Sequence, residues 1–133
     1  MSTTTRSVGE SVGAYLKAGL IAGVIAAVVA NIYFLVYTQV SGNSFEELNL
    51  VSVTLASIVP GLAAGLLLDG LRRWSARGTQ IFVVGGAVFA LLSIVPNIVA
   101  PPYPNFFWAS SPLHVIVAAV ILAVLPRLVK SSR

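Results

Sequence analysis

Apolar residues fill this chain in four long runs, and the polar positions gather in the gaps between them. The runs cover about Tyr15–Val40, Leu50–Leu71, Gln80–Val99 and Pro112–Val129. None carries the polar face of a surface helix. At 1.5 Å per residue each reaches roughly 25–38 Å, enough to cross a hydrocarbon layer of ~30 Å. The pattern predicts an all-α polytopic membrane protein with four transmembrane helices in an up-down bundle. Residues 1–14 and 130–133 form its tails. The first run far exceeds the ~7–15 apolar residues of a cleavable signal, so it reads as a retained helix.

Charge then orients the bundle. All eight Lys and Arg residues fall on one side of the alternating series. Arg6 and Lys17 stand at the start of the first run, Arg72, Arg73 and Arg77 between the second and third, and Arg127, Lys130 and Arg133 at the end. Positive charge is retained in the cytoplasm during insertion, which predicts a multi-pass protein of the bacterial cytoplasmic membrane with both termini inside. Only 9% of residues are charged against 57% hydrophobic, too few to cover a soluble domain. Topology accounts for the pI near 10.0, so nucleic acid is not an expected partner. The expected partners are the lipid bilayer and either a larger membrane complex or further copies of the chain. Cysteine is absent and His114 is the one histidine, so no metal or cofactor is predicted.

Small residues mark where helices approach in lipid. The first helix carries Gly19, Gly23, Ala27 and Asn31 at four-residue spacing, and the second carries Ser57, Gly61, Gly65 and Asp69. These stripes predict that the two helices meet. Gly86, Ala90, Ser93 and Asn97 share a face of the third, and His114 and Ala118 a face of the fourth. Asp69 precedes Arg72 and Arg73 by three and four residues, the spacing of a local ion pair.

Depth selects the polar residues worth following. Asn31, Ser57 and Ser93 lie ~10 Å below the outer boundary, with Ser52, Thr54, Asn97 and His114 nearer to it. Polar side chains avoid lipid tails, so these are expected to converge in the outer half of the bundle, with Asn31, Ser57, Ser93, Asn97 and His114 as the candidate pocket. Two outcomes stand open: a polar pocket, or interhelical hydrogen bonds without a cavity. Tyr103, Phe106, Phe107 and Trp108 follow Pro101 and Pro102 in the second outer connection, and are expected as an interfacial belt or as a lid. Ser111 reads as the cap of the fourth helix and Pro112 as its first position, placing His114 in the first turn. There the positive end of the helix dipole disfavours a second positive charge. Pro126 reads as the end of that helix, and Ser44 with Glu47 has the spacing of a capping box.

The stretches Gly19–Asn31, Ser57–Leu68 and Leu113–Ile121 resemble a family of small bacterial four-helix membrane proteins known as a domain of unknown function. The features shared are a Gly/Ala-rich first helix ending in Asn31, the run Val59–Pro60–Gly61, and Leu113–His114 opening a small-residue helix. The resemblance implies the same fold and brings no activity, cofactor or site residue.

No nucleophile–base pair is recognisable along the chain, so an enzyme is not expected. The first expectation is a packing, accessory or complex-associated subunit. The alternative is a binder or transporter of a small apolar or amphipathic molecule, such as a quinone, lipid or drug-like compound. Small exporters that exchange protons for cations place a carboxylate deep in the membrane, and the first, third and fourth apolar runs hold none.

Overall fold

The computed structural model describes residues 8–42, 49–100 and 106–131. Among them it forms four helices and no strand: α1 (Val8–Ser41), α2 (Leu50–Trp74), α3 (Gly78–Val99) and α4 (Phe106–Ser131). All four are long and apolar enough to cross a membrane.

The largest departures from the spans read in the sequence are at the starts of α1 and α4. α1 starts before its apolar run because a helix need not stop where hydropathy does. The larger correction is α4, which begins at Phe106 and runs through Ser111, Pro112 and Pro126 to Ser131. Ser111 is therefore no cap, Pro126 is no terminus, and His114 sits two turns inside the helix. The helix-end argument for its charge state lapses. Proline at 112 has no N–H to give the Trp108 carbonyl four residues earlier. The Tyr33 hydroxyl on α1 donates to that carbonyl instead. A neighbouring helix thus repairs the proline gap, as membrane helices require.

The other ends are fixed locally. Gly42, at φ 72°, closes α1 in the left-handed conformation, its N–H bonded to the Thr38 carbonyl at 3.0 Å. Asn49 caps α2: its side chain accepts from the Ser52 N–H at 2.9 Å, while its own N–H donates to Ser52 Oγ at 2.9 Å. The Ser44–Glu47 spacing lies outside the described residues. The turn from α2 to α3 needs glycine at 78, because a Cβ there would stand 2.5 Å from the Leu71 carbonyl carbon and 2.6 Å from Arg72 Cα.

α1 packs on α2 and α4; α3 reaches α2 and α4 but not α1. The α1–α2 seam is in backbone contact. A Cβ on Gly61 would lie 2.5 Å from the Gly19 oxygen and 2.8 Å from Gly23 Cα, and one on Gly23 would lie 2.9 Å from Ile58 Cα. Gly65 faces the Tyr15 carbonyl in the same way. Ascending residues on α1 thus meet descending residues on α2. A second stripe on α1, Ala18, Ala22 and Ala26, packs in one cluster with Leu68, Phe82, Ile121, Leu125 and Val129. Ala30 continues the stripe against Val53 and Leu113. α3 is peripheral, with Gly78 and Phe82 its buried residues.

At the arginine end, Arg73 Nε pairs with Asp69 at 2.9 Å. Arg72 turns the other way, donating from Nη1 to the Tyr15 hydroxyl and from Nε to Thr79 Oγ1, both at 3.0 Å. One guanidinium therefore ties α1, α2 and α3 together.

Candidate functional site

Between α2, α3 and α4 the helices enclose an open cleft of about 1090 Å³. Its α2 wall runs from Ser52 to Leu71, its α3 wall from Ile81 to Ser93, and its α4 wall from Phe106 to Leu122. The cleft persists because bulky side chains hold its walls apart. Gly86 is aimed at α4, but what stands opposite is the Leu122 side chain, 2.6 Å from where a Cβ would sit. Gly85 has nothing within 4 Å of its Cβ position. The lining is apolar apart from four serines, at 52, 57, 93 and 110, and His114.

The five polar residues singled out by depth divide three ways. Ser57, Ser93 and His114 reach the cleft wall, together with Phe106. Asn31 does not; its amide nitrogen donates to Thr54 Oγ1 at 2.9 Å across the α1–α2 seam. Its Oδ1 is buried without a partner among the described residues. Asn97 is also off the cleft, donating to Ser111 Oγ at 3.2 Å between α3 and α4. Within the cleft, Ser57 is fully buried and its hydroxyl donates to the Val53 carbonyl at 2.8 Å. Ser93 Oγ lies 2.6 Å from the Ala90 carbonyl and 3.2 Å from His114 Nδ1.

Ser93 and His114 have the composition of a nucleophile–base pair but the wrong polarity. The Ser93 hydrogen is directed to the Ala90 carbonyl, so the histidine is not placed to remove it. No carboxylate lines the cleft to orient the ring. Chemically, the arrangement can hold an apolar body and make a few hydrogen bonds at one end.

Phe106, Phe107 and Trp108 are the opening turn of α4 rather than a loop. Tyr103 lies outside the described residues. Phe107 and Trp108 meet edge to face with centroids 5.1 Å apart, and Trp108 is exposed. Exposed Trp74 ends α2 at the opposite end of the bundle. Gly19, Gly23, Ala27, Gly61 and Gly65 are buried, the glycines among them in the α1–α2 seam, whereas Gly86, Ala90 and Ala118 line the cleft.

Sequence reasoning missed Tyr33 and the alanine stripe of α1. The stripe had a legible signal in its four-residue spacing. Thr54 belonged to the expected polar layer, and the structure supplies its partner, Asn31. Tyr33 had no signal, since its role depends on a carbonyl freed in another helix. Gly85 and Ala63 were also missed, because what makes them cleft residues is the empty space opposite.

Residues 10–131 match a family described as a family of unknown function, DUF6069. The chain belongs to that family. No curated protein and no solved structure matches it.

Proposed function

For this member of a family of unknown function, we propose a non-enzymatic role. It is an integral protein of the bacterial cytoplasmic membrane that holds a small, mainly apolar amphipathic molecule between α2, α3 and α4. The observation that carries this reading is the cleft of about 1090 Å³, apolar along its length, with its imidazole at the same end as Phe106. Ligand sites have this form, apolar walls with a few polar groups that set orientation, and volumes of roughly 300–1,000 Å³. An accessory subunit, in which a helix from a partner or a second copy fills the cleft, is the competing occupant.

The bundle is up-down, with both termini and the Ser75–Arg77 turn in the cytoplasm and Gly42 outside. The one-sided distribution of basic residues supports this. Gly42→Cys is expected to react with an impermeant thiol reagent in intact cells, and Ala76→Cys only after permeabilisation. The reverse result overturns the orientation.

Gly85→Leu tests the cleft. The new side chain enters open space without meeting backbone. Wild-type protein drawn from membranes in mild detergent is expected to retain a lipid-sized mass by native mass spectrometry, and the variant to lose it while melting unchanged. Equal retention by both proteins overturns the reading. A partner protein lost from the variant in place of a small molecule establishes the accessory role.

A further inference from the structure

The hydrogen-bond polarity of the cleft wall specifies what kind of head the bound molecule carries; this rests on the cleft being the ligand site. Ser93 has one hydroxyl hydrogen and two acceptors within reach, the Ala90 carbonyl at 2.6 Å and His114 Nδ1 at 3.2 Å. A carbonyl oxygen only accepts, and two oxygens at that separation repel unless a hydrogen lies between them. The Ser93 hydrogen therefore belongs to Ala90. Toward His114 the serine is an acceptor, so Nδ1 must carry the ring hydrogen.

No Asp or Glu lines the cleft to compensate a charged ring. An uncompensated charge is strongly disfavoured in hydrocarbon. The imidazole is accordingly neutral, with Nε2 a bare lone pair that meets no donor among the described residues. The rest of the wall has the same polarity. The Ser57 and Ser52 hydroxyls are also committed to backbone carbonyls, at 2.8 and 3.0 Å. Ser110 is the exception. It lies one turn before His114 on the same face of α4, and its hydroxyl meets no acceptor among the described residues.

We infer that the cleft selects molecules whose head donates a hydrogen bond: a hydroxyl on a long apolar body, its hydrogen given to His114 Nε2 and its oxygen met by Ser110. A ketone or ether of the same shape sets lone pair against lone pair at Nε2. The apolar body runs toward Phe82. From Ser93 to Ile81 along α3 that path is ~18 Å at 1.5 Å per residue.

The test uses the full chain in phosphatidylcholine nanodiscs with hexadecanol, its methyl ether and the matching methyl ketone, each carrying a mid-chain diazirine. Hexadecanol is expected to crosslink to cleft residues of α3 and α4, half-saturating about tenfold lower than the ether or ketone, as one polar group left unpaired against the ligand implies. Ser93→Ala releases Nδ1 from its acceptor, so the ring can move its hydrogen to Nε2 and receive a ketone. In that variant the alcohol-over-ketone ratio is expected to fall to about twofold with alcohol binding kept. His114→Gln, whose amide both donates and accepts, is expected to do the same, which covers the case in which Ser93→Ala folds poorly. Equal binding of all three probes to the wild-type cleft overturns the hydroxyl assignment and leaves the cleft as a ligand site. A preference that neither variant moves overturns the His114 assignment. Labelling that avoids the cleft altogether overturns both.

Discussion

The helix α2 presents compact residues on two faces, and the two faces do opposite things. Toward α1 it offers Ser57, Gly61 and Gly65, and the two backbones touch. Toward α3 and α4 it offers Ala56, Pro60 and Ala63, and about 1090 Å³ stays open. The difference lies in what stands opposite. Gly19 and Gly23 meet the first face, whereas Phe82, Phe89 and Leu122 stand across from the second. A small-residue stripe is half of a contact. Van der Waals packing drives helix association in lipid, so the seam holds the bundle and the cleft contributes little to it.

The sharpest way to break this comparison is Gly61→Leu. Even its Cβ would collide with the Gly19 and Gly23 backbone, which cannot rotate aside. The expected loss is about 3 kcal/mol or more, read as unfolding at lower dodecyl sulfate concentration. An unchanged midpoint would remove the seam as the source of stability.

Thr54→Val comes next, because it leaves both ends of the buried Asn31 amide unpaired. It is expected to cost about 1–2 kcal/mol in the same titration. Asn31→Leu deletes the amide together with its orphaned oxygen and should cost about half as much. An inverted order would mean that Asn31 Oδ1 has found a partner.

Tyr15→Phe removes one of the two hydrogen bonds of Arg72 and leaves Thr79 in place. The expected cost is about 0.5–1 kcal/mol, as for a typical interhelical bond in a membrane. A larger loss would show that the arginine end, and not the glycine seam, sets the register of α1 on α2.

Gly85→Leu should move stability least. Nothing lies within 4 Å of its Cβ position, and leucine favours a helix over glycine by roughly 0.5–1 kcal/mol. A stability unchanged or slightly raised, measured beside the collapse of Gly61→Leu, would separate the two kinds of glycine in one experiment.

Hydropathy and length made the four spans legible, since a run of apolar residues of that length has few other uses. The start of α4 was not legible, because Ser111–Pro112 has the chemistry of a helix beginning and only a hydroxyl from another helix allows it to be an interior. The site was legible by halves. Counting residues gives the depth of Asn31, Ser57, Ser93, Asn97 and His114, but depth does not give azimuth. Asn31 and Asn97 share the layer and face other neighbours. The cleft itself follows from which side chains meet across a gap, and no single stripe carries that information.

The bond from Tyr33 to the Trp108 carbonyl also has a consequence for how this sequence can drift over generations. Pro112 creates the need that the Tyr33 hydroxyl meets. A lineage that lost the hydroxyl first would strand a bare carbonyl, whereas one that replaced the proline first would restore a backbone donor and release position 33 from any constraint. The order of substitution is therefore directional. Among descendants, phenylalanine at 33 should follow the loss of proline at 112 and seldom precede it.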